Sequence, residues 1–274
     1  MYNYNFKIFN SPCQLILSAT TKAFADEVSE IIYQNAKRLE QKYGFFNEAS
    51  ELYFLNKRRK NRVIVSDELA GFLAISSFYY EKTSHSFDIA YAGTMYSCFQ
   101  TTSLKEYQEK KKALLPYASF MHIHLDGNSV EFSNEYTQLD LGGLVKEYAV
   151  DQSILLLKEY KIQSALVDFG GDVAAFGNCD GEKWNIGIQD PHQNENNLMS
   201  INLDTAAVCT SGHSKSFYMI DDTKISHIIS KQKNPHKQIS VLAPTALDAG
   251  VWSTSLLVNE YLQTPYHVKV ISCV

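Results

Sequence analysis

The sequence predicts a protein of helices packed on strand pairs, of the α+β or α/β class, with mixed sheets. Three observations carry that expectation. Four segments with apolar residues at helical spacing, near 23–43, 67–82, 144–160 and 248–258, alternate with shorter strand-like runs. Two glycine pairs, Gly142-Gly143 and Gly170-Gly171, bracket one helix and one buried strand, the building unit of a layered helix-and-sheet fold. The 274 residues are 45% hydrophobic and 20% charged, ordinary values that allow a large core. The expectation is one domain over residues 1–274, or two intertwined subdomains.

Phe6 to Ser18 alternates apolar and polar residues and reads as an opening strand, interrupted by a bulge or turn at Pro12. Ala23 to Tyr43 places Val28, Ile31, Ile32, Ala36 and Leu39 on one helical face, and Gly44 closes it. Ser50 to Asn56 reads as a capped helical turn, and Ile64-Val65-Ser66 as a short strand. Ser66 caps a helix running to Lys82. Thr101 to Lys112 is charged and reads as a surface helix. His122-Ile123-His124 lies on a strand, where the two histidines share a face but lack a third ligand, so they are structural. Asp126-Gly127-Asn128 is a hairpin turn. A helix over 144–160 and a strand at 165–169 follow, then strand-like sequence at Trp184 to Gln189, and a strand pair or strand and turn at Met199 to Val208.

Several function classes are excluded by bulk properties. A net charge of −5 gives no footprint for nucleic acid. The basic run Lys57-Arg58-Arg59-Lys60 reads as a solvated loop or helix end. Five cysteines with no CxxC spacing point to reduced thiols, not to a disulfide frame or zinc. No apolar run reaches the length of a membrane span, and residues 1–6 lack a signal peptide's basic and apolar regions. Met1 followed directly by strand-like sequence argues against a trimmed leader, and the expected location is the cytoplasm.

The chemistry concentrates between Leu139 and Asp172. Glycine pairs let backbone N–H groups approach an anion with no Cβ in the way. A helix starting just after Gly143 aims its positive end at the same place, and Lys146 in its first turn adds a mobile positive charge. One such pair is an ordinary turn. Two, each with a nearby carboxylate such as Asp172, favour a nucleotide or pyrophosphate site.

The string from Asp140 to Asp151 resembles the "DLGGIAKGYAVD" signature of the ApbE family, the FAD:protein FMN transferases. Phe169-Gly170-Gly171-Asp172 is similar to that family's "GGD" turn. Further likenesses recur in order at Asn10-Ser11-Pro12-Cys13, Ser50 to Asn56, His85-Ser86-Phe87-Asp88-Ile89, Trp184 to Pro191, Cys209 to Gly212, Lys224-Ile225-Ser226-His227-Ile228-Ile229 and Ser240 to Leu247. The resemblance implies the family's fold, FAD as substrate and Mg²⁺ as cofactor. It implies transfer of FMN, with release of AMP, to a threonine or serine hydroxyl of an acceptor flavoprotein carrying Ser/Thr-Gly-Ala-Ser/Thr. It places Ser86, Phe87, Asp88 and Ile229 at the flavin nucleotide, with Lys146, Gly170, Gly171 and Asp172 at phosphate or ribose. His227 becomes the candidate for proton transfer or phosphate contact, against the alternative of a strand histidine.

Three departures stand out. Where the family has an aspartate four residues before its metal-binding threonine, this chain has Gly250 before Thr254. The glycine after the signature lysine is Glu147 here, and the aspartate after "HII" is Ser230, with Lys231 and Lys233 nearby. The expected metal ligands are therefore the Gly143 carbonyl, Thr254 and Asp248, the last on condition that the helix begins after it, with Asp172 or a substrate group as alternatives for the missing carboxylate. A relative that binds a flavin nucleotide or a partner without transferring FMN is the alternative function.

Overall fold

The computed structural model describes residues 1–19, 21–192, 196–213, 217–226, 228 and 236–274, leaving aside the side chain of Cys273. In chain order the elements are β1 (Tyr2–Ile8), β2 (Ser11–Leu17), α1 (Lys22–Tyr43), α2 (Glu51–Asn56), β3 (Arg62–Ile64), α3 (Asp67–Lys82), α4 (Ile89–Met95), α5 (Leu104–Leu114), β4 (Ile123–Asp126) and β5 (Ser129–Phe132). They continue as α6 (Val145–Glu159), β6 (Ala165–Phe169), β7 (Asp172–Phe176), β8 (Trp184–Gln189), β9 (Asn197–Leu203), β10 (Ala206–Gly212), β11 (Phe217–Ile220), β12 (Thr223–Ser226), β13 (Gln238–Ala243), α7 (Ala246–Val258) and β14 (Lys269–Cys273).

Among the described residues the main sheet has seven strands, in the order β1-β2-β6-β7-β10-β13-β14. The opening strand is in fact a hairpin. Phe9 and Asn10 take left-handed φ of 53° and 59°, and this tight turn reverses the chain before Pro12. The class is α+β, and every described strand pair is antiparallel where mixed sheets were expected. The reason is that α6 connects two different sheets, the three-stranded β3-β5-β4 and the seven-stranded one, so it closes no parallel unit.

Helices α1, α6 and α7 cover one face of the sheet. Ala25, Val28, Ile32, Ala36 and Leu39 of α1 bury the stripe that the sequence periodicity marks. On the opposite face Leu166, Val173, Ala175 and Val208 pack against Trp184, Ile188 and Leu203 of the β8–β9 hairpin. β7 is therefore buried at every position, and its apolar run is continuous. A smaller cluster joins Tyr91 and Met95 of α4 and Tyr107 of α5 to Ile220 of β11.

Of the basic run, Lys57, Arg59 and Lys60 are exposed as expected, but Arg58 is not. Its guanidinium sits 3.3 Å from the Phe132 ring centroid and donates to the Asn134 carbonyl at 3.0 Å. His122 is structural, held between Ser133 Oγ at 2.9 Å and the Pro116 carbonyl at 2.8 Å.

Candidate functional site

The N-terminus of α6, the β6–β7 turn, the β8–β9 hairpin and residues flanking α4 enclose a cleft of about 1460 Å³. Its floor is the glycine-rich segment before α6. That segment is fixed from outside: Asn56, the last residue of α2, donates to the Leu139 carbonyl at 2.8 Å and accepts from the Leu139 N–H at 2.8 Å. The likeness at Ser50 to Asn56 thus marks a clamp, since Ser50 caps α2 and Asn56 grips the signature.

The two glycine pairs do different work. Among the described residues, six of the seven α-helices carry a side-chain N-cap, from Thr21, Ser50, Ser66, Asp88, Ser103 and Thr245. Helix α6 has none, and Gly142, Gly143 and Lys146 at its start line the cleft. Its positive end therefore faces the cavity. In this first pair Gly142 N–H is itself taken by Asp140 Oδ1 at 2.8 Å, and the N–H groups of the Gly170-Gly171 pair are both taken as well. Gly170 N–H donates to the Pro12 carbonyl at 3.0 Å and Gly171 N–H to Asp168 Oδ1 at 2.7 Å. These glycines exist for conformation and closeness, with φ of +70° and +95°, and a Cβ on Gly170 would lie 2.6 Å from Ser11 Cβ. The expected anion-cradling role of that turn is corrected to a side-chain-free wall.

Charge gathers between α6 and β7. The Lys146 ammonium contacts Asp172 Oδ2 and lies 3.5 Å from Glu147 Oε1. It is thus an anchored cation, not a mobile one. Asp172 and Glu147 are buried, with 4% and 6% exposure. Glu147 Oε2 has no hydrogen-bond partner among the described residues. Across the cleft wall, Ser211 Oγ lies 2.9 Å from Thr254 Oγ1 and 2.8 Å from Ser253 Oγ. Glu147, Asp172, Thr254, Ser211 and Gly143 all line the same cavity.

Other expected site residues fall elsewhere. Asp248 is not a cleft residue. Helix α7 begins at Ala246, so Asp248 lies inside its first turn, where its carboxylate accepts from Tyr79 Oη at 2.6 Å and from Thr245 Oγ1 at 3.2 Å. A helix starting after Asp248 would have freed it, but the Thr245 cap sets the start three residues earlier. Asp88 borders the cleft as the N-cap of α4, accepting from Ala90 N–H at 2.9 Å, Tyr91 N–H at 3.0 Å and Phe120 N–H at 3.1 Å. Phe87 lines the cleft as well, with 4% exposure, edge-on to Tyr79 and with one ring carbon 3.8 Å from where a Cβ on Gly143 would lie. Ser86 lies on the cleft wall. His227, Ile229, Ser230, Lys231 and Lys233 lie outside the described residues.

Two features escaped the sequence. One is an aromatic end to the cleft, built from Phe46, Tyr96, Phe99 and Tyr218. Phe99 and Tyr218 stack at 4.2 Å and 14°, and Phe46 meets Tyr96 at 4.8 Å and 61°. These residues come from three separated segments, so no local spacing announces them.

The other is Asp151, the last residue of the signature. Its carboxylate accepts from Ala246 N–H at 2.7 Å and Leu247 N–H at 2.9 Å, tying α6 to the start of α7. Burial pushes this carboxyl up to about 6, overriding the two N–H bonds that lower it, and repulsion from Asp248 and Glu147 adds a smaller push in the same direction. A carboxyl raised above its unfolded value stabilises the fold most below about pH 4 and loses that contribution as pH rises through about 6. The stability of the protein relative to Asp151→Asn is expected to fall by roughly 3 kcal/mol from pH 4 to pH 7, measured by denaturant unfolding. A pH-independent difference would contradict the assignment.

Comparisons with known proteins agree on one family. Residues 9–269 match the ApbE family. A protein of Treponema pallidum (strain Nichols) named FAD:protein FMN transferase is 27% identical over 224 residues, covering 73% of this chain and 62% of the relative. One of the same name from Klebsiella pneumoniae (strain 342) is 35% identical over 127 residues, covering 44% of this chain and 36% of the relative. The chain thus spans less than two thirds of the length of these curated relatives. The crystal structure of the ApbE protein from Thermotoga maritima superposes with a TM-score of 0.83 at 22% identity, covering 94% of this chain and 86% of that one, which fixes the likeness of fold.

Proposed function

Because this chain belongs to the ApbE family, we propose that it is an FAD:protein FMN transferase. It moves FMN from FAD to a threonine or serine hydroxyl of an acceptor flavoprotein. The observation that carries the proposal is the division of the cleft, with a wall of aromatic rings at one end and an open helix N-terminus between glycine surfaces further in. A flat tricyclic ring suits the first and a diphosphate the second. The volume of about 1460 Å³ exceeds that of a usual drug-sized pocket and suits a dinucleotide.

The acceptor oxygen attacks the FMN phosphorus, the bond to the AMP oxygen breaks, and the hydroxyl proton passes to a base. His227 holds the role of base in this proposal, from the resemblance alone. Phosphoryl transfer asks for positioning and charge neutralisation more than for covalent help. Lys146 and the start of α6 orient the diphosphate. The cleft's donors are hard oxygens, among them the buried Glu147 Oε2, which makes no hydrogen bond among the described residues, a set that fits Mg²⁺. The Gly143 carbonyl and Thr254 belong to that set, and Mg²⁺ when bound would neutralise the diphosphate. Ser/Thr-Gly-Ala-Ser/Thr as the acceptor sequence and a reducing, cytoplasmic setting belong to the same proposal. Buried thiols at Cys13, Cys98 and Cys209 support that setting. Among the described residues no helix is long and apolar enough to cross a membrane.

Incubation with FAD, Mg²⁺ and an acceptor protein carrying that sequence is expected to yield a fluorescent acceptor band in a denaturing gel, together with free AMP. Tight FAD binding without any labelled acceptor would replace the proposal by the non-transferring alternative.

A further inference from the structure

The carboxylate missing at Gly250 is present in space, carried by the neighbouring helix. A Cβ built on Gly250 would lie 2.5 Å from Glu147 Cγ and 3.2 Å from both Cδ and Oε1. The Glu147 side chain thus occupies the volume into which a side chain at 250 would project. Gly250 and Thr254 are four apart on α7 and share a face, so Glu147 arrives beside Thr254 on the wall of the cleft.

Lys146 accounts for only one oxygen of the buried Glu147 carboxylate. Its Oε2 is buried and makes no hydrogen bond among the described residues, in a side chain with only 8% exposure. The nearest cation, Lys146, is shared with Asp172, so two buried carboxylates face one ammonium. An ionised carboxylate in such a place is costly unless paired. The hydroxyl oxygens of Thr254 and Ser211, 2.9 Å apart, line the same cleft and are partners that a hard divalent cation takes.

We propose that Glu147, reaching from α6 over Gly250 of α7, supplies the carboxylate that holds a divalent cation in this cleft. Glutamate at 147 and glycine at 250 form one exchange, in which the acidic side chain has moved to the facing helix and its former position has become the space that admits it. The inference rests on reading the cleft as a diphosphate site only in that the diphosphate of FAD would complete the coordination.

The test is Mn²⁺ binding to the whole protein, followed by the electron paramagnetic resonance of free Mn²⁺, with and without FAD, while flavin fluorescence reports FAD binding separately. Glu147→Gln keeps the shape and removes the charge. It is expected to weaken Mn²⁺ at least tenfold, with the fold retained by thermal melting. The exchange variant Glu147→Gly with Gly250→Asp is expected to recover affinity to within a few-fold of the parent, because the carboxylate returns from the other helix. The proposal is overturned by Mn²⁺ binding that Glu147→Gln leaves unchanged, or by a parent protein that binds none in either condition. Glu147-dependent Mn²⁺ binding without any FAD binding would sustain the cation site and remove the proposed function. FAD binding with Mn²⁺ indifferent to Glu147 would do the reverse.

Discussion

Gly250→Asp on its own is expected to lower the melting temperature by on the order of 10 °C, corresponding to roughly 3 kcal/mol, without improving transferase activity. Judged by sequence, this change restores a ligand. Judged by structure, it inserts a side chain where Glu147 Cγ already stands 2.5 Å from the new Cβ. Gly250 is buried in α7, so neither helix yields without cost. Two carboxylates forced into one buried volume add repulsion to the overpacking. Thermal melts of Gly250→Asp beside the double exchange variant decide it. Full stability in the single variant would mean that Glu147 swings out freely and does not hold that space.

Lys146→Met is expected to cost about 3–5 kcal/mol, among the largest single effects in the molecule. The ammonium is shared between Asp172 and Glu147, both more than nine-tenths buried, and methionine keeps the length while deleting the charge. What the substitution leaves is two uncompensated carboxylates, which is worse than having none. Adding Glu147→Gln to Lys146→Met should therefore recover part of the loss, an interaction visible as non-additivity in denaturant unfolding. Equal stabilities of Lys146→Met and the parent would show that water already solvates the pair.

Much of the framework was legible because it rests on local rules. The caps at Ser50 and Ser66, the α1 stripe and the Asp126-Gly127-Asn128 turn depend on neighbours within a few residues, and each lies where periodicity places it. The pairing of strands was not legible. Helix α6 follows β5 and precedes β6 as a parallel unit would, but only the tertiary arrangement sends those strands to different sheets. Asp88 and Asp248 show the same limit at the level of side chains. Both are acids near a signature, and their use, Asp88 as a helix cap and Asp248 as acceptor from the Tyr79 and Thr245 hydroxyls, depends on which donors lie within reach.

Sequence by itself determined the family, the order of most elements and the glycine, lysine and threonine positions around which the cleft forms. The tertiary structure alone decided where the charges stand. Glu147 and Gly250 are about a hundred residues apart, and no periodicity links them. Their relation exists only because α6 and α7 pack side by side on one sheet, so that a side chain lost from one helix can be supplied by the other. Coordination and steric exclusion act between atoms a few ångströms apart in space, whatever their distance along the chain.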